Sequence, residues 1–322
     1  MRVLFTHSLL LAAFMLISPA GAQPAYPSKP VRVAIGFPAG SSIDVVSRIV
    51  IDDIRTRTGA TIVVDNRPGA LGSIGIQDVL NAPADGYTLF SSSSATHSSG
   101  PFLSVALQKL EPVSSLRHIA RISLFDVVVV TSAAGPYANA RSLVDAGKAK
   151  PDSLTYGYGS GTGQVGSAAF SHAAALQTRG IPYRGQPLAV ADLLGAQVDF
   201  VSSDLGAVLS LLKSGKLNAV ALLADRRSSV LPDVPTAREA GLSPVSLEGW
   251  IGFDGPAKMP AAVASWWSEQ VALSVASPAV QSSLRNIGME PSPLAGEAFD
   301  KFVRAQYDVW GRHVHEAGLK PE

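Results

Sequence analysis

Residues 33–44 read VAIGFPAGSSID, and this stretch predicts how the chain begins to fold. Its first residues are apolar, as in a buried strand, and the run stops at a Pro-Ala-Gly turn. Apolar residues at helical spacing resume in residues 45–54, VVSRIVIDDI. Ser41, Ser42 or Asp44 can accept a hydrogen bond from the first helical turn and so cap the helix. One cap is enough, so the other small polar residues indicate a second purpose for the turn.

The order of strand and then helix repeats along the chain. We predict strands for residues 31–37, 61–64, 87–91, 127–131, 154–158, 198–202 and 219–223. We predict helices for residues 44–57, 73–80, 141–150, 165–177, 187–194, 262–273 and 296–313. Repeated β-then-α order predicts parallel strands joined by crossover helices, and hence an α/β fold. Residues 127–131, VVVVT, are typical of a strand that is buried on both faces.

The N-terminal residues predict export from the cytoplasm. Arg2 precedes an apolar run at residues 9–17, and residues 20–22 form an A-x-A cleavage site. This is the pattern of a secretory signal peptide, and its apolar run is too short to span a bilayer. Cleavage after Ala22 would leave 322 − 22 = 300 residues, a length that usually makes two domains. We therefore expect a periplasmic protein.

Composition and motifs exclude several classes of function. The chain has no cysteine, so it has neither disulfides nor thiolate metal sites. Its net charge is +1 without a basic block, which argues against nucleic acid and anionic membranes as partners. It contains no G-x-S-x-G, no H-E-x-x-H and no P-loop lysine. We predict no catalytic residue, no cofactor and no metal site.

Three loops rich in Gly, Ser and Pro follow predicted strands, after Phe37, Ser91 and Tyr158. In open α/β sheets, ligands bind outside the carboxyl ends of the strands. The loops FPAGSSI, SSSSAT and GSGTGQVGS contain neither Lys nor Arg. Backbone N–H groups, hydroxyls and helix N-termini would therefore hold an anion there. A small organic anion between two lobes is the predicted ligand.

The loop GTGQVG supports an alternative, because it matches G-x-G-x-x-G at Gly161, Gly163 and Gly166. A dinucleotide site also needs an acidic residue about 20 positions further on. The first acid after Gly166 is Asp192, 26 residues away. Two alternatives remain open: a nucleotide-dependent enzyme that uses this loop, and a secreted hydrolase that uses His97.

Six stretches resemble one family, the Bug proteins, which are the periplasmic solute-binding proteins of tripartite tricarboxylate transporters. They are YPSKPVRVAIGFPAGSSIDVVSR, VVDNRPGALGSIG, ADGYTL, PYRGQPLAVADLLGAQVD, LPDVPTAREAGL and AGLKPE. Together they span the chain from Tyr26 to Glu322.

The resemblance implies a two-lobed type II periplasmic-binding-protein (Venus flytrap) fold, each lobe a mostly parallel sheet flanked by helices. Lobe 1 would comprise residues 23–125 and 249–322, and lobe 2 residues 126–248. A small carboxylate-bearing solute would be captured and delivered to a transporter or a sensor domain, and the protein would be a monomer.

The resemblance also implies which residues bind the ligand. They are Phe37, Ala39, Gly40, Ser41, Ser42, Asp44, Ser94, Thr96, His97, Ser160, Thr162, Gly163, Gln164, Val165, Tyr183, Arg184, Ser203 and Asp204. This chain departs from the family pattern at Ile43, where a hydroxyl residue is usual, and at Asp204, where Asn is usual. For Asp204, two interpretations stay open: it accepts from an amine or hydroxyl of the ligand, or it caps a helix.

Overall fold

The computed structural model describes residues 26–321, so the predicted signal peptide lies outside the described residues. The strands in this range are β1 Val31–Ile35, β2 Ile62–Asn66, β3 Thr88–Ser93, β4 Leu116–Ser132, β5 Leu154–Tyr158, β6 Thr178–Pro182, β7 Phe200–Asp204, β8 Leu217–Leu222, β9 Glu248–Pro256 and β10 Glu290–Ala295. The α-helices are α1 Ser42–Thr58, α2 Ser73–Leu80, α3 Gly100–Leu103, α4 Val105–Leu110, α5 Pro112–Ser115, α6 Ala140–Ala149, α7 Gly161–Ala173, α8 Gln186–Leu194, α9 Leu205–Lys213, α10 Ala261–Ala276, α11 Pro278–Asn286 and α12 Gly296–Glu316. A π-helix, Ala95–Ser99, follows β3.

The strands lie in the order β2-β1-β3-β9-β4-β7-β5-β6, with β8 and β10 also paired to β4. The parallel pairs are β1 with β2 and β3, and β5 with β6 and β7. Helices connect these parallel strands, which confirms the predicted α/β class. The pairs that involve β4 or β9 are antiparallel.

Strand β4 connects two groups of strands. From Leu116 to Asp126 it pairs with β9, whereas from Val127 onward it pairs with β7 and β8. We call β1, β2, β3, β9, β10 and the first part of β4 the first sheet, and β5 to β8 with the second part of β4 the second sheet. The chain returns at Leu247, whose N–H donates to Leu223 O (2.8 Å), and Glu248 then pairs with Asp126. The chain therefore crosses between the two sheets at two adjacent points, once between Asp126 and Val127 and once between Leu247 and Glu248. We call these points the crossings.

The valines of β4 show how the second sheet is held between its helices. Residues 127–130 are fully buried, which confirms the expectation of burial on both faces. Val127 and Val129 belong to one hydrophobic cluster and Val128 and Val130 to another, as the two-residue period of a strand requires. Burial of each side chain contributes about 1.5–3 kcal/mol.

Helix α7 begins at Gly161, four residues before the predicted start at residue 165, so that boundary was wrong. The glycines of GTGQVG lie inside the helix, where they permit close packing. A Cβ at Gly163 would lie 2.6 Å from Gln186 Oε1, and one at Gly166 would lie 2.2 Å from Ser202 Oγ. The space over these glycines is filled by protein side chains, which argues against the dinucleotide interpretation.

No helix within residues 26–321 combines the length and the apolar composition that a membrane crossing requires.

Candidate functional site

A cavity between the two sheets brings together the N-termini of four helices, α1, α7, α8 and α9. We call it the inner cavity; its volume is about 50 Å³, which is room for a few water molecules. Its lining residues are Phe37, Pro38, Ser41, Ser42, Ile43, Ser93, Ala95, Phe125, Gly159, Ser160, Thr162, Gln186, Pro187, Asp204, Ala207 and Ile251. Each helix N-terminus carries roughly half a positive charge, so the convergence favours an anion.

The turn that precedes α1 is held by Asp44 in a way that the sequence did not predict. Asp44 accepts hydrogen bonds from Gly40 N–H, Arg48 and Asn66, each at 3.0 Å. The Ser41 hydroxyl donates to Pro38 O (2.7 Å). Helix α1 therefore has no side-chain cap, and the predicted capping was wrong. The Asp44 carboxylate stabilises the turn through Gly40, Arg48 and Asn66 and does not accept from the first turn of α1. The first N–H groups of α1 are therefore left without a side-chain acceptor.

The electrostatics of Asp44 agree with this bracing role. Burial raises the pKa of this carboxyl group, but the hydrogen bonds from Arg48, Gly40 and Asn66 together bring it below its ordinary value. Asp44 is therefore ionised at neutral pH, and its charge is already satisfied by protein groups.

Two hydroxyl groups of the inner cavity are buried without a well-directed hydrogen bond from any described residue: Ser42 Oγ and Ser93 Oγ. Ser42 is 8% exposed and Ser93 is 4% exposed. A buried hydroxyl without a partner costs about 1–3 kcal/mol, so Ser93 gains when a ligand atom accepts from it. The Ser42 hydroxyl lies beside the Asp204 carboxyl group, which it also favours in its ionised form.

Asp204 ends β7 and stands directly before α9, yet its side chain makes no capping hydrogen bond. The helix-cap interpretation of Asp204 is therefore wrong. The Ser203 hydroxyl donates to Asp204 Oδ1 (3.1 Å), and the exposed part of Asp204 faces the inner cavity. Burial raises the pKa of Asp204, and the hydroxyls of Ser42 and Ser203 offset this only in part.

Residues of the second sheet complete the opposite wall. Ser160 caps α7 by accepting from Gly163 N–H (3.1 Å), while Thr162 and Ser160 both line the inner cavity. Gln186 accepts from Gly159 N–H (3.0 Å) and donates to Ser202 O (2.8 Å). Gln186 therefore ties the glycine-rich turn after β5 to strand β7.

Two further cavities lie at the edge of the inner cavity, and Gly159 lines all three. Tyr183 and Arg184 line the first, where Arg184 is exposed and makes no ion pair with any described residue. Tyr183 and Gln164 line the second. The Tyr183 hydroxyl donates to Asp192 Oδ2 (2.7 Å), which orients this ring.

Half of the predicted ligand-binding residues lie outside these cavities: Ala39, Gly40, Asp44, Ser94, Thr96, His97, Gly163, Val165 and Ser203. Ser94 Oγ accepts from Trp250 N–H (3.4 Å), so it points into the body of the protein. Thr96 and His97 are fully buried in the π-helix. Thr96, His97 and Asp254 form a chain of contacts, but all three are 0% exposed, so no substrate can reach them.

The structure also adds lining residues that sequence reasoning missed. Ser93 and Ala95 lie in the same serine-rich loop that was predicted, one position away from the chosen residues. Ile43 lines the inner cavity and makes its wall more apolar, as its departure from the family pattern suggested. Phe125 and Ile251 lie beside the crossings of β4 and β9. Nothing in the sequence separates these two from ordinary core residues.

Comparisons with known proteins agree with the fold. The family described as "Tripartite tricarboxylate transporter family receptor" matches residues 46–319. Protein BugT of Bordetella pertussis is 29% identical over 329 residues, covering 99% of this chain and 98% of BugT. The structure of the periplasmic binding protein BugD has a TM-score of 0.85 at 26% identity, covering 92% of this chain and all of that one.

A second solved structure, R. palustris Rpa4515 with adipate, has a TM-score of 0.87 at 23% identity. It covers 92% of this chain and 100% of its own, and at this identity it shows the fold alone. The family match covers most of the chain, and the BugT and BugD matches agree with it. The chain therefore belongs to the tripartite tricarboxylate transporter receptor family, the Bug-type periplasmic solute-binding proteins.

Proposed function

We propose that this protein captures a small organic carboxylate in the inner cavity and presents it to a membrane transporter or to a sensor domain. The observation that supports this most is the meeting of four helix N-termini at a cavity that no Lys or Arg lines. The partial positive charge of the helix N-termini attracts an anion. Because no Lys or Arg forms an ion pair with it in the inner cavity, the anion can also be released.

The ligand carboxylate would lie against the start of α1. The free N–H groups of the first turn point there, and each helix end favours an anion by about 0.3–2 kcal/mol. The hydroxyls of Ser93 and Ser42 would donate to the same carboxylate, and Ser42 would turn from Asp204 to do so. A hydrogen bond to a charged group contributes about 1.5–3 kcal/mol.

Asp204 narrows the class of ligand. A second carboxylate beside Asp204 would bring like charges together in a poorly hydrated cavity. A hydroxyl or ammonium group of the ligand would instead donate to Asp204 in a charge-assisted hydrogen bond. The proposed ligand is therefore a hydroxy acid or an amino acid rather than a plain dicarboxylate.

Domain organisation and location complete the proposal. Lobe 1 comprises residues 23–125 and 249–322, and lobe 2 comprises residues 126–248. The change of pairing partner between Asp126 and Val127 supports the first boundary, and the return at Leu247 and Glu248 supports the second. The mature protein is a periplasmic monomer whose signal peptide is removed after Ala22.

A thermal-shift panel of monocarboxylates, dicarboxylates, hydroxy acids, amino acids, neutral sugars and amines tests the proposal. A carboxylate at 100 times its dissociation constant should add about 2.7 kcal/mol of stability, a shift of several degrees. The double substitution Ser42→Ala with Ser93→Ala should weaken that ligand roughly tenfold or more. Ser243→Ala, at an exposed serine of the second sheet's surface, should leave the affinity unchanged.

The panel also separates the other classes of function. A shift with sugars or amines and none with any carboxylate would contradict the proposal. Turnover of ester substrates, or a shift with nicotinamide dinucleotides, would favour the hydrolase or the nucleotide-dependent enzyme.

A further inference from the structure

Three buried side chains from three different elements meet next to the π-helix that follows β3. They are His97 of the π-helix, His118 of β4 and Asp254 of β9. His97 Nε2 lies 2.8 Å from Asp254 Oδ2, and His118 Nδ1 lies 3.0 Å from the same oxygen. The three ligating atoms lie within 4.8 Å of one another. His97 and Asp254 are 0% exposed and His118 is 6% exposed, so bulk water does not reach the cluster.

The hydrogen bond that His118 makes through Nε2 fixes the tautomer of its ring. Val113 O can only accept, so His118 Nε2 carries the proton of their 3.2 Å hydrogen bond. A neutral His118 then presents the lone pair of Nδ1 to the Asp254 carboxylate. Two lone pairs at 3.0 Å repel each other, so a positive charge lies between them: a proton on the ring or a metal ion.

His97 distinguishes these two possibilities. Its Nδ1 pairs with Thr96 Oγ1 (2.9 Å), while its Nε2 is buried and makes no well-directed hydrogen bond even though Asp254 Oδ2 is 2.8 Å away. The Thr96 hydroxyl donates to Ser93 O (3.1 Å), so it accepts from His97 Nδ1–H, and Nε2 of the neutral ring then turns a lone pair toward Asp254. A proton on His118 does not satisfy that lone pair. An ion bound by all three side chains satisfies it.

We propose that His97, His118 and Asp254 form a binding site for one first-row divalent transition-metal ion of the Zn²⁺ type. Two imidazoles and a carboxylate are ligands that such ions accept. Two ligand atoms at about 2.0–2.1 Å from one tetrahedral ion are about 3.3 Å apart, so the 2.8 and 3.0 Å separations here would widen by a few tenths of an ångström when the ion binds.

The groups that hydrogen-bond to these three side chains are of the kind usually found around metal ligands. Ligating imidazoles generally donate their other N–H to a nearby oxygen, and ligating carboxylates are hydrogen-bonded in turn. Val113 O and Thr96 Oγ1 take these places for the two histidines, and the Ser92 hydroxyl donates to Asp254 Oδ1 (2.9 Å). Asp300 Oδ1, 3.9 Å from His118 Nε2, adds a second negative charge nearby.

The ion would tie the loop that contains Ser93 and Ala95 to β4 and β9, directly behind the inner cavity.

The test uses the full exported chain, treated with a chelator, desalted and incubated with Zn²⁺ or Co²⁺. We expect one Zn²⁺ per chain to remain after a second desalting and the Tm to rise by several degrees. Co²⁺ should give visible absorption bands of a nitrogen- and oxygen-ligated ion. Asp254→Asn and His118→Gln should abolish retention, whereas His313→Gln should retain it. His313 is the matched control because its Nδ1 lies 3.3 Å from a surface carboxylate of Glu316.

A measurement on the unsubstituted protein keeps the proposal falsifiable if the variants do not fold. Long-range ¹H–¹⁵N spectra report the ring nitrogens of each histidine, and Zn²⁺ should shift those of His97 and His118 but not those of exposed His172. Zinc that washes off completely, with unchanged ring signals, would overturn the proposal. That result would show that a proton on His118 balances Asp254.

Discussion

Asp204 is the one carboxyl group among the residues that line the inner cavity. It stands between two hydroxyls, Ser42 and Ser203, and at the N-terminus of α9. Helix-end charge and hydroxyl donors favour its ionised form, but burial outweighs them and raises its pKa. We propose that this single side chain links the stability of the empty protein to its choice of ligand.

The substitution Asp204→Asn should stabilise the empty protein at neutral pH. A raised folded-state pKa means that the stability contributed by Asp204 is fully present below about pH 4, the unfolded value, and is lost as the pH rises through the folded value. Each pKa unit by which the folded value exceeds the unfolded value lowers the free energy of unfolding at neutral pH by about 1.4 kcal/mol. Urea unfolding at pH 7 should show the variant to be more stable, and at pH 3 the two proteins should unfold alike.

The same substitution should change ligand preference. A neutral amide in place of the Asp204 carboxylate would no longer repel a second carboxylate, so dicarboxylates should gain affinity relative to hydroxy acids and amino acids. Isothermal titration of the ligands found in the thermal-shift panel measures this ratio. If the ranking of the panel is unchanged, Asp204 does not contact the ligand.

Helix α1 begins without a side-chain cap because its first acidic residue is used elsewhere. Asp44 is 3% exposed and ties the turn to Arg48 and Asn66, and Asn66 also donates to Phe37 O (3.0 Å). The turn, the helix and β2 are therefore one rigid unit. Such a unit presents free N–H groups in a fixed direction, which a side-chain cap would have prevented.

The substitution Asp44→Ala should destabilise the protein by about 2–4 kcal/mol, because it leaves Arg48 and the Gly40 N–H without their acceptor. It should also weaken ligand binding, because the turn loses its brace. The pKa of Asp44 is lowered in the folded protein, so its contribution is present above about pH 4 and is lost as the pH falls through the folded value.

Urea unfolding at pH 7 measures this effect, and Asp52→Asn is the matched control. Asp52 pairs with Arg55 on the same helix, but at its exposed surface, so the control should change stability by about 0–1 kcal/mol. Equal effects of the two substitutions would show that the buried network does not hold the turn.

The whole molecule combines two sheets that are joined at adjacent crossings, with the inner cavity between them. A Cβ at Gly185 of the second sheet would lie 3.1 Å from Pro38 Cγ of the first, so the walls are close together. A volume of about 50 Å³ is far below the roughly 300–1,000 Å³ of usual ligand sites. We propose that the two sheets move apart about the crossings to admit a ligand.

We expect an open form to be populated without ligand and a compact form with it. Small-angle scattering should show a smaller radius of gyration with a saturating carboxylate, and no change with a panel compound that gives no thermal shift. Spin labels at Thr56→Cys and Ser214→Cys, both exposed, should report a shorter distance with ligand, and the chain has no native cysteine to remove. An unchanged radius and distance with a tight ligand would contradict the closing motion.

The sequence by itself determined the α/β class, most elements and the family. These features depend on periodicity and on short motifs, which neighbouring residues carry. The turn after Phe37 was located correctly for the same reason, since small residues after a strand mark a turn. The glycines of GTGQVG, in contrast, lie inside α7, and the serine run continues β3 into the π-helix. The antiparallel pairing of β4 with β9 was not predicted, because Asp126 and Glu248 pair across 122 residues of chain and no local pattern marks them as partners.

Only the tertiary structure decided which side chain of each loop faces the inner cavity. Ser42 and Ser93 face it, whereas Asp44 and His97 turn into the body, because partners that hold them, Asn66 and Asp254, lie on other elements of the fold. The His97, His118 and Asp254 cluster has no motif, since its members come from three elements far apart in the chain. Long-range contacts of this kind depend on packing and buried charge, and no local pattern of residues encodes them.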